Sequence, residues 1–297
     1  MKIEIKGLNQ VYPNGNHALK NIDLEFGTGM FGLLGPNGAG KSSLMKILVT
    51  LMKPTGGIVL VDGMDIQKHR AEIRRKTGYL PQDFRFFTSL KTWEFLDYSG
   101  ALAGMNNRKS RIKEVDRLLD QVGLLEVRDR QANKLSGGMK RRLGIAQALI
   151  GNPRIIIVDE PTTGLDPDER IRFRNILSQL SRNEVIIILS THIVGDISST
   201  CHGMALLNKG ELVFNGSPEE LVKSAEGHVF RMQLDHHEYD LVKEKYNVIS
   251  TVPSEAGWNV QIVSDEHPGY RAEEILPNIE HAYVYYMEHK LKTYIIE

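Results

Sequence analysis

The sequence predicts an α/β fold in which helices cover a mixed, mainly parallel sheet, and two observations carry this prediction. The short apolar segment 31–34 is followed by a glycine-rich loop and then by residues 41–51, whose apolar side chains recur on one helical face. Further along, the apolar runs 155–158 and 185–189 have the length of buried strands, and residues 168–180 between them have a helical pattern. A strand, a helix and a second strand in this order form a crossover between parallel strands.

The first part of the chain predicts a small antiparallel sheet. Residues 1–11 and 21–26 alternate apolar and polar side chains, which is typical of strands with one buried face. A turn-forming sequence at residues 13–16 separates them, and residues 57–61 have the pattern of a further short strand. We therefore expect an N-terminal antiparallel β subdomain beside the parallel sheet.

Helical periodicity dominates the middle of the chain. Apolar residues recur with a helical period over residues 90–125, and residues 135–150 predict another helix after a pair of glycines. Together these stretches predict a helical subdomain, inserted into the α/β core at about residues 83–150.

The C-terminal segment has a different composition. A short helical pattern at residues 218–225, capped by Ser217, leads into a segment with 13 acidic and 6 basic residues and strand-like runs. We therefore expect one domain over residues 1–225 and a small α+β accessory domain over residues 226–297. Six of the ten histidines lie in this second domain without the spacing of a metal site, which predicts solvated surface histidines.

Composition is that of an ordinary globular protein. Hydrophobic residues make up 41% of the 297 residues and charged residues 25%. No apolar run approaches the ~20 residues that cross a bilayer, and the alternating N-terminus is typical of a strand and not of a signal peptide. The single cysteine, Cys201, excludes an internal disulfide and fits a reducing cytoplasm as a buried packing residue. A formal net charge of zero does not favour nucleic-acid binding, so no nucleic-acid partner is expected.

The glycine-rich loop at residues 35–42, here called the phosphate loop, matches the pattern G-x-x-x-x-G-K-[ST]. Glycines let backbone N–H groups approach a phosphate closely, and the following helix adds a partial positive charge at its N-terminus. Lys41 is placed to reach the β- and γ-phosphates of a nucleotide, and Ser42 to bind Mg²⁺. The predicted nucleotide contacts here are Gly35, Pro36, Asn37, Gly38, Ala39, Gly40, Lys41, Ser42 and Ser43.

Two adjacent carboxylates form a second constellation. Asp159 and Glu160 follow the apolar run 155–158, and ligands of parallel sheets bind beyond the carboxyl ends of the strands. We expect Asp159 to help coordinate Mg²⁺, and Glu160 to orient and deprotonate the water that attacks the γ-phosphate. Two exposed carboxylates that cap a turn are the alternative, which the preceding apolar strand disfavours.

The third constellation is Leu135-Ser136-Gly137-Gly138, here called the LSGG loop. Its plain interpretation is an N-cap serine followed by tolerated glycines, but glycines at a helix start also permit close approach to a ligand. A phosphate loop, an LSGG loop and then a strand ending in Asp-Glu resemble the pattern of ATP-binding-cassette (ABC) proteins, and the resemblance covers residues 1–225. It implies a P-loop NTPase core in which Ser136, Gly137 and Gly138 contact ATP held by a second subunit.

The same resemblance assigns four further positions. Gln82 matches a glutamine that reaches the metal and senses the membrane partner, so it is expected among both the catalytic and the metal-binding residues. Asp166 matches a position in a loop that couples two ATP sites. His192 matches a catalytic histidine that contacts the γ-phosphate and holds Glu160 in place. Tyr12 matches an aromatic residue that stacks on adenine.

The resemblance also implies a mechanism and partners. Two chains, identical or homologous, are expected to close face to face over ATP and Mg²⁺, and hydrolysis to reopen them. The motion would pass to separate integral-membrane permease subunits, which would hold the ATPase peripherally at the cytoplasmic face of the cell membrane. Met139 after the LSGG loop and Gly164 before Leu165-Asp166 resemble the bacterial ABC-2-type exporter ATPases, so export is the expected direction. A soluble ABC ATPase that acts without a membrane partner is the alternative.

A docking surface for the permease is expected near Gln82. Phe84, Phe86 and Phe87 lie close to it in sequence and supply aromatic side chains of the type enriched at interfaces. Ordinary core packing between subdomains is the alternative for these aromatic residues. For the C-terminal domain we expect a regulatory or dimer-supporting role.

Overall fold

The computed structural model describes residues 1–84, 89–181, 184–255 and 257–290. Its strands are β1 (Ile3–Val11), β2 (His17–Phe26), β3 (Gly29–Leu34), β4 (Gly56–Val61), β5 (Met64–Asp65), β6 (Thr77–Leu80), β7 (Ile155–Asp159), β8 (Ile186–Thr191), β9 (Gly203–Asn208), β10 (Glu211–Gly216), β11 (Val229–Leu234), β12 (Val248–Ser254), β13 (Gly257–Val263) and β14 (Glu273–Glu274). Its α-helices are α1 (Lys41–Leu48), α2 (Arg70–Lys76), α3 (Thr92–Leu102), α4 (Arg108–Gln121), α5 (Gly137–Leu149), α6 (Pro167–Leu180), α7 (Val194–Ser198), α8 (Pro218–Lys223), α9 (His236–Lys245) and α10 (Ile279–Tyr285).

Contacts divide the chain into two compact units. The first comprises Met1–Asp196 and Thr200–Asn215, and the second Ile197–Ser199 and Gly216–Glu297. The division at Gly216 precedes the boundary expected at residue 225. The difference arises because α8 packs against α10 and therefore belongs with the second unit. That the units are independent domains remains a prediction.

A six-stranded sheet of order β10-β9-β3-β8-β7-β6 forms the centre of the first unit. Its pairs β9–β3, β3–β8, β8–β7 and β7–β6 are parallel, as the crossover pattern predicts. Every residue of β7 and β8 is buried, which explains why each strand begins with four consecutive apolar residues before its polar end. The prediction of an α/β fold with a mainly parallel sheet is confirmed.

The second sheet of this unit, β2-β1-β4-β5, is antiparallel and is the N-terminal subdomain expected from sequence. Its inward side chains join one apolar core with α1 and the parallel sheet, including Leu8, Leu24, Leu44 and Ile157. Strand β2 begins at His17, earlier than expected. The alternation of apolar and polar residues is interrupted in the first half of β2. The cause is that the pairing of β1 with β2 shifts register there and that Asn21 has a left-handed φ of 49°.

Helices α3, α4 and α5 occupy the region predicted as a helical subdomain. The periodic stretch 90–125 is two helices rather than one, because Gly104 with φ 88° breaks it between α3 and α4. Helix α5 packs on β6 and against α3 and α4. Phe84 packs against Phe95 and Gly144, which supports core packing for this residue, whereas Phe86 and Phe87 lie outside the described residues.

The second unit contains the antiparallel sheet β12-β13-β11-β14. Helix α9 places Val242 in the apolar cluster on one face of this sheet. The expectation that the histidines of this segment are solvated is wrong for His281, which is 5% exposed and hydrogen-bonds to Gln261. Within the described part of the chain, no helix has both the length and the apolar character needed to cross a membrane.

Candidate active site

Four parallel strands deliver the predicted functional residues to one edge of the central sheet. Strands β3, β8, β7 and β6 are consecutive neighbours in that sheet, so their carboxyl ends meet on the same side. The phosphate loop follows β3, His192 follows β8, Glu160 follows β7 and Gln82 lies two residues beyond β6. This edge is where open parallel sheets bind their ligands.

Two glycines of the phosphate loop are required by space as well as by conformation. Gly35 has φ 154°, and a Cβ atom there would lie 2.3 Å from the carbonyl oxygen of Leu207. Gly40 has φ 106°, and its Cβ atom would lie 2.4 Å from the carbonyl oxygen of Ala18. Larger residues would push the loop away from both neighbours, so the loop keeps its shape only with glycine at these positions.

The N-terminus of α1 offers backbone donors and one buried cation. Its N-cap residue, Gly40, provides no side-chain hydrogen bond, and no acidic residue occupies its first turn. Lys41 is 4% exposed, and its Nζ donates to the carbonyl oxygens of Gly35 at 2.7 Å and Pro36 at 3.1 Å. Uncapped N–H groups, the helix dipole and the ammonium group together favour a phosphate at this position.

Glu160 is buried and its carboxylate is held from three directions. Oε1 lies 3.4 Å from Lys41 Nζ, while Oε2 lies 3.0 Å from His192 Nδ1 and 3.3 Å from the Thr163 hydroxyl, which donates to it. Its backbone has φ 45°, a left-handed conformation that is costly for a residue with a side chain. Its N–H donates to both the carbonyl oxygen and Oγ of Ser190, each at 3.1 Å, and these bonds stabilise the turn.

A cavity of about 430 Å³ joins these groups. It is lined by Tyr12, Asn16, Ala18, Asn37, Gly38, Ala39, Gly40, Lys41, Ser42, Ser43, Gln82 and Glu160. Tyr12 is fixed at its rim by a 2.9 Å hydrogen bond between its hydroxyl and Ser43 Oγ. Most of the predicted nucleotide contacts therefore surround one space, and residues 37–42 of the phosphate loop, the base candidate Glu160 and Gln82 all face it, whereas Gly35 and Pro36 do not.

Comparison with known proteins identifies the family. Residues 19–163 match the model of the ABC transporter family. The ABC transporter ATP-binding protein YxlF of Bacillus subtilis is 32% identical over 268 residues, which are 90% of this chain and 88% of that protein. The chain belongs to the ABC transporter ATP-binding proteins. It is therefore an ATP-binding and ATP-hydrolysing cassette, and the resemblance seen in the sequence is confirmed.

Other relatives extend the comparison. The ABC transporter ATP-binding protein sll0415 of Synechocystis is 38% identical over 200 residues, and the match covers 67% of this chain but only 56% of that protein. The daunorubicin/doxorubicin resistance ATP-binding protein DrrA of Streptomyces peucetius is 35% identical over 233 residues, covering 78% of this chain and 70% of DrrA. The ATP-binding cassette MJ0796, solved as a dimer with ADP and Pi, superposes with a TM-score of 0.66 at 27% identity, covering 72% of this chain and 98% of MJ0796.

In this ABC cassette the LSGG loop and Asp166 do not line the cavity. Ser136 caps α5 by accepting a hydrogen bond from the backbone N–H of Met139 at 3.2 Å. Asp166 caps α6 by accepting a hydrogen bond from the backbone N–H of Glu169 at 2.8 Å. Both capping residues are exposed. Their roles toward ATP therefore remain predictions that need a second chain.

The two capped helix ends are tied together inside the cassette. Arg142 is 5% exposed and donates to both carboxylate oxygens of Glu169, at 3.1 and 3.2 Å. The same guanidinium donates to the carbonyl oxygens of Val122 and Gly123 at the end of α4. The ion pair between Arg142 and Glu169 thus holds the starts of α5 and α6, which carry the LSGG loop and Asp166, side by side.

The predicted Mg²⁺ ligands are placed around the same edge. Ser42 and Gln82 line the cavity, whereas Asp159 is buried at the end of β7 and accepts a hydrogen bond from Ser190 Oγ. Oxygen donors of this kind suit Mg²⁺, so the residues fit the ion.

Burial and the charge of Asp159 raise the pKa of the neighbouring Tyr79 to about 12. Ser190 was missed from sequence, although its place directly before Thr191-His192 at a strand end is a usable signal.

Proposed function

We propose that this chain is the ATPase subunit of an exporter and that ATP-dependent pairing of two cassettes drives transport through separate membrane subunits. The observation that carries the proposal is the position of Glu160, whose carboxylate lies between Lys41 of the phosphate loop and His192. Export is favoured by the likeness to DrrA, which is named for daunorubicin and doxorubicin resistance.

The contacts of Glu160 support a role as the base that activates water. Its Oε1 is the counterion of Lys41, so a γ-phosphate that attracts the ammonium group would release this oxygen to accept a proton from water. His192 holds the other oxygen, Oε2, and thereby orients the carboxylate. Mg²⁺, when bound near Ser42, Gln82 and Asp159, neutralises part of the phosphate charge. Tyr12 at the cavity rim is placed to contact the base of the nucleotide.

Two half-sites on different chains would complete the site. The cavity supplies one half, and the N-terminus of α5, where Ser136 and Gly137 are exposed outside this cavity, would supply backbone donors to the site of the opposing chain. Asp166 is also exposed, at the start of α6. A helix N-terminus with bare N–H groups suits the γ-phosphate of an opposing chain. The dimeric MJ0796 structure, with ADP and Pi bound, supports this arrangement for the family.

A groove on the helical region is the candidate docking surface for the permease at the cytoplasmic membrane face. This groove, here called the Trp93 groove, has a volume of about 630 Å³ and is lined by Trp93, Arg108, Lys109, Ile112, Lys113 and Arg128. Its floor is apolar, and its rim carries four cations, with the guanidinium of Arg128 5.5 Å from the centre of the Trp93 ring. The indole Nε1 is buried and has no hydrogen-bond partner among the described residues. We assign the groove to an acidic segment of a membrane subunit, which would supply charge, an apolar side chain and a hydrogen-bond acceptor.

Replacement of the proposed base tests the function. In Glu160→Gln we expect kcat for ATP hydrolysis to fall about 100-fold or more, because a general base contributes about that factor. ATP binding should persist, and ATP should trap a dimer that gel filtration resolves from the monomer. Glu126→Gln, the same change at an exposed surface position, is the matched control and should behave as the parent. ATP hydrolysis at the parental rate by Glu160→Gln would remove the basis of this proposal.

A further inference from the structure

Arg141 connects two loops of the active site through a single guanidinium. It lies on α5, and its Nη1 donates to the carbonyl oxygens of Gln82 at 2.6 Å and Pro81 at 3.3 Å. Its Nη2 donates to the carbonyl oxygen of Glu160 at 2.9 Å, and its Nε to that of Pro161 at 2.9 Å. All four acceptors belong to the backbone that carries the candidate base and the candidate metal-binding glutamine.

The bond to Glu160 fixes a backbone in an unfavourable conformation. Glu160 has φ 45°, and its own N–H is already held by Ser190. Arg141 holds the carbonyl oxygen on the other side of the same residue. The two peptide groups that flank the Glu160 side chain are therefore anchored by separate partners, and the removal of either anchor would let the turn relax.

Arginine suits this position better than other donors. Its planar guanidinium carries five N–H donors in a fixed fork, which can reach acceptors on two loops at once. Lysine has three donors at one point, and glutamine has only two. Burial lowers the pKa of Arg141, while the charges of Asp159, Asp83 and Glu160 act in the opposite direction.

Helix α5 also carries the LSGG loop at its start. Ser136 is its N-cap, and Arg141 follows after little more than one turn. The helix lies directly on β6: a Cβ atom at Gly144 would lie 2.6 Å from a methyl group of Leu80, and one at Gly78 would lie 1.9 Å from the carbonyl oxygen of Ala148. With so little space against β6, a displacement at the LSGG loop is passed along the helix to Arg141.

We propose that Arg141 is a positioning residue that links the LSGG loop of a cassette to Glu160 and Gln82 of the same cassette. When the LSGG loop binds the ATP of the opposing chain, the position of α5 becomes fixed. Arg141 then holds the backbone of Glu160 and Gln82 in place in its own site. Each site thus responds to the occupancy of the other. This inference rests on the proposed function, which assigns Glu160 as the base and the LSGG loop to a second chain.

The test compares Arg141→Gln with the parent. Loss of the fork should lower kcat for ATP hydrolysis by about tenfold or more, because small displacements of catalytic groups are costly. The Kd for a non-hydrolysable ATP analogue should change less than about twofold, since Arg141 does not line the cavity. In nucleotide-free protein, hydrogen–deuterium exchange should become faster in peptides that cover residues 79–84 and 159–163, and elsewhere should stay as in the parent.

Two further variants keep the inference falsifiable. Arg141→Lys retains the positive charge but not the fork of donors, so its kcat should fall less than that of Arg141→Gln. It is also the substitute variant if Arg141→Gln does not fold. Arg117→Gln removes an exposed arginine whose side-chain hydrogen bonds, among the described residues, go to Glu114 and Gln121 on its own helix, and should match the parent. Parental kcat and exchange in Arg141→Gln, or faster exchange throughout the cassette, would overturn the positioning role. If Glu160→Gln also keeps parental activity, the proposed function itself fails, and the two failures are thereby distinguished.

Discussion

The adjacent glycines of the LSGG loop have different surroundings. A Cβ atom at Gly137 would have no heavy atom within 4 Å among the described residues. One at Gly138 would lie 2.5 Å from Cγ and Cδ of Glu169, which Arg142 holds in place. Gly138 is therefore explained by packing within one chain, whereas nothing in the described chain requires glycine at Gly137.

Gly137→Ala should separate a role toward a second chain from a role in folding. We expect an unchanged or slightly higher Tm, because alanine favours a helix by up to about 1 kcal/mol over glycine. ATP binding to the monomer should also be unchanged. ATP-dependent dimerisation and kcat should fall about tenfold, since an added methyl group in a tight contact costs 1–3 kcal/mol. Gly138→Ala is the contrasting variant, which should lower Tm; full ATPase activity in Gly137→Ala would contradict the composite site.

Single residues differ in how far sequence predicts them. Lys41 and Glu160 were predicted from residue type and position in a motif, and His192 from the resemblance to ABC proteins. Arg141 was not, because its four partners are backbone carbonyl oxygens, which every residue possesses. No pattern of side chains can record such a contact, even though the run Lys140-Arg141-Arg142 stands out beside the LSGG loop.

At the scale of elements, local signals predicted some helices and left others unrecognised. Helix α8 was expected from Ser217, whose side chain does form the capping box with Glu220. Helix α9 was missed, although Asp235 and Glu238 form the same kind of box and could have indicated it. Strands β9 and β10 were also missed, because their place in the sheet depends on distant strands rather than on local pattern.

Helix α10 carries a buried histidine in its first turn, and the hydrogen bonds of this histidine favour the neutral ring. His281 Nδ1 accepts a hydrogen bond from the N–H of Asn278 at 3.3 Å, and its Nε2 lies 3.0 Å from Oε1 of Gln261. In this arrangement Nε2 carries the proton, and a second proton would have to displace the bond at Nδ1. Burial lowers the pKa of His281 below its usual 6.5, against the smaller opposing effect of Glu280.

The lowered pKa predicts that stability decreases as the pH falls. Below pH 6.5 the unfolded chain binds a proton at His281 before the folded chain does, so the free energy of unfolding decreases until the pH passes the folded pKa. One proton gives a slope of at most about 1.4 kcal/mol per pH unit. Urea unfolding of His281→Gln between pH 5 and 7 should show a shallower dependence than the parent. His237→Gln, at an exposed position, should keep the parental slope, and equal slopes in all three proteins would refute the assignment.

At the scale of the whole molecule, the first unit presents three surfaces with different chemistry. The sheet edge holds the cavity, the braced helix ends carry the LSGG loop and Asp166, and the helical region carries the Trp93 groove. The residues of the first were predicted because phosphate chemistry needs particular residues at particular spacings, and those of the second because they match the pattern of ABC proteins. The groove was not, since its members come from three separate segments and only the basic run at its rim is visible in the sequence.

The charge of the Trp93 groove predicts how a permease would be recognised. Simultaneous replacement of Arg108, Lys109 and Lys113 by Glu turns the rim acidic without touching the cavity or the LSGG loop. We expect ATP hydrolysis by the isolated subunit to be unchanged. Co-purification with a co-expressed candidate permease should fall at least about tenfold, because like charges placed together across an interface cost several kcal/mol.

A second triple variant makes this last experiment selective. Replacement of Lys68, Arg70 and Arg75 by Glu changes the net charge equally on another exposed basic segment around α2. If the groove receives an acidic segment of the permease, only the first variant loses the membrane protein. If both lose it to the same extent, attraction to an anionic membrane surface would explain the effect instead, because such attraction depends on total charge and not on a groove. If neither variant loses it, the permease contacts the cassette elsewhere. The indole Nε1 of Trp93, which has no hydrogen-bond acceptor among the described residues, would then need a different partner.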